Sequence, residues 1–332
     1  MSQKVLITYG DGPGRTVISA AEKVLGAVAP DLELIHAKIG AEAYESTGYA
    51  LPPATMEALS ECDVMLSGSV NVEGLPERNP LDAIKKQLGL GIEYTEFFPL
   101  CDYLGEGEID AVVLSPAPES TMVVYETETP EGISSEYFTG SDSLASMFSR
   151  TIRLVDERDG KTIHLVSDGI LFPKREELIK TVIGKYFADT QFRVVGTELS
   201  EIMYMLAHDH KSAQILFCDI PSAAAVHGLG SGIVGGSGLM PSAFIGNDIS
   251  LYTTSRIFEG DSVGREFNPT SAILSVAVML LDMGREEDYR NIRGAVCEMY
   301  RSGRTTPDIG GKLSAEKFAQ GVNELVHSMM KA

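Results

Sequence analysis

The stretch that decides the fold is "KVLITYGDGPGRTVISAAEKVLGAV", residues 4–28, because one glycine-rich turn joins two kinds of periodicity. "KVLITYG" is a short apolar run that is typical of a buried strand. "RTVISAAEKVLGAV" repeats its apolar residues every three or four positions, which predicts an amphipathic helix. Gly10 and Gly12 lie between them, where glycine permits the positive φ of a tight strand-to-helix turn. The unit predicts an α/β protein.

The same alternation continues along the chain. Further strands are predicted at "LELIHAKIG", "DVMLSGS", "IDAVVLSP", "KTIHLVSD", "FRVVGT" and "AQILFCD". Further helices are predicted at "PPATMEALSEC", "NPLDAIKKQLGL", "KREELIKTVIGKYFA", "LSEIMYMLAHD", "NPTSAILSVAVMLLDMG" and "SAEKFAQGVNELVHSMMKA". Strands that alternate with helices predict a sheet with many parallel strands.

Composition narrows the functional class. The 332 residues are 44% apolar, which is enough for a large core and suggests two domains. A net charge of −20 argues against nucleic acid and anionic membranes as partners, because both are polyanions. The four cysteines lie far apart, so zinc and disulfide frameworks are not expected. With no signal-peptide pattern at the start and no long apolar window, we expect a cytoplasmic protein.

Five segments carry a family resemblance. They are "YGDGPGRTVISAAEKVL", "GAEAYESTGYALPPATMEALSECDVMLSGSV", "IVGGSGLMPSAFIG", "FNPTSAILSVAVMLLDMG" and "RTTPDIGGKLSAEKFAQGVNELV". In this order they resemble the β-decarboxylating dehydrogenases, the family of isopropylmalate, isocitrate and homoisocitrate dehydrogenases. The resemblance spans nearly the whole chain.

The resemblance implies an isopropylmalate dehydrogenase-like fold of two α/β domains with a cleft between them. The larger domain, on the nucleotide side, would hold residues 1–96 and 242–332. The smaller, residues 97–241, would carry the cleft and the dimer interface. A homodimer is expected, also because the apolar segments "GLGSGIVGG" and "SAILSVAVMLL" need covering.

The family reaction needs aspartates that hold a divalent metal, and the resemblance places their positions on Ser200, Ala224 and Gly228. Alanine and glycine carry no side-chain oxygen, and serine is a poor ligand for a hard cation. Asp219 and Glu201 are the nearest acids in sequence. We therefore expect no metal site of the family type.

The positions implied for substrate binding and proton transfer are also altered. The three substrate arginines fall on Lys85, Thr95 and Ser115, and the relay lysine falls on Ser167. Lysine does not reproduce the bidentate grip of arginine on a carboxylate. The relay tyrosine falls near Met122, and Tyr125 would serve only if the loop is shifted.

Nucleotide binding, with NAD or NADP as the cofactor, is implied for Gly10, Asp11, Gly12, Asn268 and Asp308. Each of these residues has a structural reading as well. The glycines and Asp11 suit a tight turn, Asn268 suits a helix cap, and Asp308 suits a closed turn. In the adenosine loop, Ser255 and Arg256 stand where His-Gly would be.

His227 lies within the altered metal segment and is a candidate for a new catalytic group, although a lone histidine is more often structural. Three hypotheses follow. The first is a pseudoenzyme that acts as a binding, regulatory or partner subunit. The second is an NAD(P)-dependent oxidoreductase that acts on another 2-hydroxy acid without metal. The third is the ordinary family activity, if the local alignment is wrong.

Overall fold

A computed structural model gives the fold. It describes residues 3–71, 73, 79–105, 109–117, 122–139, 151–152, 154–156, 158, 160–167, 173–208, 213–255, 264 and 267–331.

The strands of the described residues form a ten-stranded sheet and a separate two-stranded hairpin. The strands are β1 Lys4–Thr8, β2 Glu33–His36, β3 Val64–Ser67, β4 Ile92–Phe97, β5 Ala111–Pro116, β6 Met122–Thr129, β7 Gly132–Thr139, β8 Thr162–Ser167, β9 Arg193–Glu198, β10 Ile215–Cys218, β11 Pro241–Ile245 and β12 Ser250–Thr254.

The helices cover the faces of the large sheet. They are α1 Pro13–Val28, α2 Ala41–Thr47, α3 Pro53–Ser60, α4 Pro80–Leu88, α5 Pro173–Phe187, α6 Leu199–His208, α7 Ile220–Ile233, α8 Thr270–Asp282, α9 Glu286–Arg301 and α10 Ala315–Met329, with a short 3-10 helix at Pro307–Ile309. None of the described helices combines the length and the apolar composition that a bilayer crossing requires.

The large sheet has the strand order β2-β1-β3-β12-β11-β4-β5-β10-β8-β9. Both flanks are parallel, and three central pairs, β12–β11, β11–β4 and β4–β5, are antiparallel. The predicted α/β fold with many parallel strands is therefore confirmed. The strands of the two predicted domains sort onto the two flanks, but hydrogen bonds between β4 and β5 join them into one sheet. The two-domain division stays a prediction.

The most apolar helix is covered by the chain itself. Every residue of α8, Thr270–Asp282, is buried. The helix packs against α1, α9 and the strands β11 and β12. The sequence argument that "SAILSVAVMLL" needs a dimer partner to cover it is therefore wrong, because intrachain packing already removes this face from water.

Candidate functional site

The central cavity is a space of about 290 Å³ between α7 and the middle of the large sheet. Lining residues on α7 recur every three or four positions, so they form one stripe along the helix. This stripe consists of Ile220, Ala224, His227 and Ser231. Asp219 starts the helix by accepting a hydrogen bond from Ser222 N at 3.0 Å, which fixes where the stripe begins.

The facing wall is one face of the sheet where β4, β5 and β11 meet. Glu93 on β4 pairs with Ser115 on β5, and Thr95 on β4 pairs with Ser242 on β11. Residues paired directly across antiparallel strands share a face, and so do residues two apart on one strand. All four of these side chains line the central cavity. The topology therefore collects polar groups from distant parts of the sequence.

The positions of two family aspartates lie at or beside this cavity, but they offer no ligand. Ala224 is exposed on the lining stripe, and Gly228 follows one turn later. A Cβ added to Gly228 would meet nothing within 4 Å, so packing does not require glycine there. Ser200, the third position, is exposed on α6 and does not line the central cavity. These residues do not fit a divalent metal, which needs several oxygen ligands.

The nearby acids do not replace the missing ligands. Asp219 is buried, caps α7 and pairs with Arg175 Nη2 at 2.5 Å, so its carboxylate is already committed. Glu201 is exposed on α6 and does not line the central cavity. Within the part of the chain that the structure describes, no cluster of three or more histidine, cysteine, aspartate or glutamate side chains could hold a metal ion.

The predicted arginine positions behave differently from one another. Thr95 and Ser115 line the central cavity, as the resemblance implies. Lys85 does not line it, because its ammonium lies 3.9 Å from the centre of the Phe244 ring and 3.1 Å from Asp82 Oδ1. No lysine or arginine lines this cavity among the described residues. An acid, Glu93, does line it.

Sequence reasoning missed Glu93. The signal was present in "IEYTEF", because Glu93 stands two residues before Thr95, and residues two apart on a strand share a face. The segment was not read as a strand, so the relation was not used.

His227 lines the cavity, and its buried Nε2 has no hydrogen-bond partner among the residues that the structure describes. The ring packs on Phe97, with the two ring centroids 5.9 Å apart. Burial lowers the pKa of His227 to about 4, so the imidazole is neutral near pH 7. A neutral ring with one open nitrogen can take part in one further hydrogen bond with a ligand.

The candidates for proton transfer are not gathered in the central cavity. Ser167 is buried at the end of β8 and does not line the cavity. Tyr125 lies on the β6–β7 hairpin with 63% of its surface exposed, opposite Glu136. The Met122 side chain and Arg256, a residue of the adenosine loop, lie outside the described residues. Ser255, which precedes Arg256, does line the cavity.

The first glycine turn has a structural explanation. Gly10 has φ +69°, and a Cβ there would lie 2.1 Å from Ser69 O. The Asp11 carboxylate accepts hydrogen bonds from Ala41 N and from Asn71 N, each at 2.9 Å. Asp11 thus links the turn to the first residue of α2 and to the segment that follows β3. Gly12 has φ +52°.

Asn268 and Asp308, the other predicted nucleotide residues, do lie together. Asn268 Nδ2 donates to Asp308 Oδ2 at 3.0 Å and to Tyr300 Oη at 3.2 Å. Asn268 Oδ1 accepts from Thr270 N at 3.0 Å, at the start of α8. Asn268 therefore has a structural contact at the start of α8, although the N-cap residue of this helix is Pro269. Neither Asn268 nor Gly10 lines the central cavity.

Comparisons with known proteins agree on the family. The sequence model of the isocitrate/isopropylmalate dehydrogenase family matches residues 4–92 and 213–325. The chain is 29% identical to a 3-isopropylmalate/3-methylmalate dehydrogenase of Methanocaldococcus jannaschii, covering 97% of this chain and 98% of the relative. It is 25% identical to an isocitrate/homoisocitrate dehydrogenase of Thermus thermophilus, covering 99% of this chain and 100% of the relative.

A solved structure has the same fold. The crystal structure of a β-decarboxylating dehydrogenase of Thermococcus kodakarensis in its apo form superposes with a TM-score of 0.86. The superposition covers 99% of this chain and 97% of the other, at 19% sequence identity. At this identity the likeness concerns the fold alone.

Proposed function

The chain belongs to the isocitrate/isopropylmalate dehydrogenase family, and from this premise we propose that it is a divergent member that binds a small molecule without metal-dependent oxidative decarboxylation. The named relatives are dehydrogenases, so kinship alone favours oxidative activity. The proposal departs from kinship because of the residues that line the central cavity. Function resides in the site and not in the fold.

The observation that carries the proposal is the chemistry of two α7 residues, Ala224 and Gly228, at positions that the resemblance assigns to metal-binding aspartates. In oxidative decarboxylation a divalent metal polarises the substrate oxygen and stabilises the enolate that develops. Ala224 and Gly228 stand on the helix that lines the cavity and supply no oxygen. Asp219, the nearest acid in sequence, is committed to Arg175 and to the helix cap. Among the described residues, the cavity wall therefore lacks the carboxylates that a divalent metal would need.

The charge of the cavity supports the same proposal. Substrates of the family type carry carboxylates, which arginine binds bidentately. The described lining has hydroxyl groups at Thr95 and Ser115 and an acid at Glu93, and it has no lysine or arginine. A carboxylate substrate would lose its partners and would meet a like charge.

A second function is favoured by one observation, the open Nε2 of His227. Although its lowered pKa of about 4 makes it a weak general base near pH 7, the neutral imidazole on the cavity wall can accept a hydroxyl proton. This would allow a metal-free oxidoreductase that uses NAD or NADP and acts on a different 2-hydroxy acid. Glu93 weighs against an acid substrate, which is why we rank this function second.

We further propose that the protein is a homodimer whose contact includes the β6–β7 hairpin. An isolated two-stranded hairpin is marginally stable in water. The described part of this hairpin exposes Tyr125 at 63% and Ile133 at 73%. A second copy that packs on the hairpin would cover these side chains. Sedimentation at micromolar concentration should give a dimer, and Ile133→Glu should weaken it. A monomeric parent protein would contradict this.

A metal titration tests the main proposal. Calorimetry with Mn²⁺ should show no saturable binding to the parent protein, with or without 3-isopropylmalate. Ala224→Asp/Gly228→Asp should gain Mn²⁺ binding, because the two carboxylates lie one helical turn apart. Ala224→Asn/Gly228→Asn is the matched control and should not. Stoichiometric Mn²⁺ binding by the parent protein would refute the proposal.

A further inference from the structure

We propose that the central cavity binds a small uncharged ligand with amide or hydroxyl groups, held by a hydrogen bond to His227 Nε2. The inference rests on the proposed function, because it names the ligand class of the same cavity. It goes beyond that function by replacing a carboxylic acid with a neutral molecule.

The first step is the unsatisfied nitrogen. A buried polar atom without a hydrogen bond costs about 1–3 kcal/mol, and native proteins rarely leave one. His227 Nε2 is such an atom, and its residue lines the cavity. A ligand that fills the cavity can supply the missing partner. Hydroxyl and amide groups suit it under either tautomer, because they both donate and accept.

The second step is the facing wall. Thr95, Ser115 and Ser242 lie on one face of three adjacent strands and present hydroxyl groups to the cavity. Ser231 adds another from the α7 stripe. Hydroxyl groups can satisfy neutral polar groups in either sense but cannot neutralise a carboxylate. The wall therefore matches a ligand with several uncharged polar groups.

The third step is charge. Glu93 is the charged residue among the described residues of the lining, and it is acidic. An anionic ligand would meet this carboxylate, and the described lining offers no lysine or arginine to bind the anion. Glu93 is already engaged with another part of the chain, so the cavity does not demand a cation either. His227 is neutral near pH 7 and adds no charge. An uncharged ligand is the remaining class.

The size is also informative. The cavity of about 290 Å³ is at the lower end of ligand pockets, which span roughly 300–1,000 Å³. The ligand should therefore be a small molecule with a short carbon chain. Tartramide and malamide meet these requirements, because they keep the skeletons of tartrate and malate and replace each carboxylate with an amide of nearly the same shape.

The test is ligand-observed saturation-transfer NMR with tartramide and malamide against tartrate and malate. We expect saturation of at least one amide and of neither acid. His227→Phe should weaken amide binding at least ten-fold. His227→Gln should retain part of it, because the glutamine amide can still hydrogen-bond. His327→Phe, at an exposed histidine outside the cavity, is the matched control and should not change binding.

The inference is overturned if neither amide binds, if an acid binds as well as its amide, or if His227→Phe leaves binding unchanged in a folded protein. Thermal melts establish that each variant is folded. Failure here is distinct from failure of the proposed function. Saturable Mn²⁺ binding would refute the proposed function. If the protein binds neither Mn²⁺ nor either amide, only this inference is refuted.

Discussion

Glu93 on β4 lies directly opposite Ser115 on β5, and both side chains line the central cavity. The resemblance places a substrate arginine on Ser115. Glu93 thus lies opposite the position where the resemblance implies an arginine that binds a substrate carboxylate. We therefore expect this pair to disfavour the binding of anionic ligands in the cavity.

Reversing the charge of Glu93 should change ligand preference. Glu93→Arg should create saturable binding of malate or tartrate, because one charged hydrogen bond contributes about 1.5–3 kcal/mol, or roughly ten- to a hundred-fold in affinity. Glu93→Gln is the matched control, since it removes the negative charge without supplying a cation. Calorimetry measures both. Tight binding of malate by the parent protein would contradict the prediction.

Two glycines of α7 should respond oppositely to alanine. Gly228→Ala should raise the free energy of unfolding by about 0.5–1 kcal/mol, because the added Cβ has open space and glycine weakens a helix. Gly230→Ala should lower it, because the Cβ would lie 2.9 Å from the Phe97 ring. Urea unfolding compares them. Destabilisation by Gly228→Ala would show that the site requires glycine there.

His227 should make stability depend on pH. Its pKa is about 4 in the folded protein and about 6.5 in the unfolded chain. The unfolded state therefore binds a proton that the folded state does not, so stability falls as pH decreases from 6.5 to 4, by up to about 3 kcal/mol.

His227→Gln removes this titration. In the variant, the free energy of unfolding should fall less steeply over the same pH range. The difference in slope should correspond to at most one proton taken up on unfolding. Ionisable groups that the two proteins share cancel when the two pH dependences are subtracted. Urea unfolding at several pH values between 4.5 and 7 gives the unfolding free energy of both proteins. The same dependence on pH in both would contradict the prediction.

The buried ion pair of Glu96 and Arg158 should contribute strongly to the free energy of unfolding. Glu96 is 1% exposed and accepts from Tyr94 Oη at 2.5 Å, and Arg158 Nη2 lies 3.5 Å from its Oε2 without hydrogen-bond geometry. Arg158→Met should cost about 3–5 kcal/mol of unfolding free energy, because it leaves Glu96 buried without its cation. Glu96→Gln/Arg158→Met should recover part of this.

The exposed pair Lys23–Glu316 provides the control for that experiment. Lys23→Ala should change the unfolding free energy by less than about 1 kcal/mol, because solvent screens surface pairs. A similar small effect of Arg158→Met would contradict the importance of the buried ion pair.

Local periodicity was enough to predict the flanks of the fold. β1, α1, α8 and α10 were recognisable because their apolar residues recur at strand or helix spacing. In the antiparallel centre, β5 was predicted, but β4 and β11 were not. β4 mixes glutamates with aromatic residues, so neither strand nor helix periodicity stands out in "IEYTEF".

The candidate site depends on that antiparallel centre. The resemblance placed Thr95, Ser115 and Ala224 on the cavity wall, and the structure brings them together there. It could not reveal Glu93, because strand register decides which side chains share a face. It also could not show that Lys85 packs on Phe244 instead of reaching the cavity.

The most direct test of the central claim is turnover of family-type acids. Purified protein is assayed with 3-isopropylmalate, isocitrate, homoisocitrate and tartrate, each with NAD⁺ or NADP⁺ and saturating Mg²⁺ or Mn²⁺, alongside the Methanocaldococcus relative as the active control. Each 1.36 kcal/mol of lost transition-state stabilisation costs about ten-fold in rate. Under the proposal, the metal and arginine positions no longer stabilise the transition state, so we expect no measurable nicotinamide reduction over hours. Metal-dependent reduction at roughly one turnover per second on any of these acids, abolished by EDTA, would contradict the account.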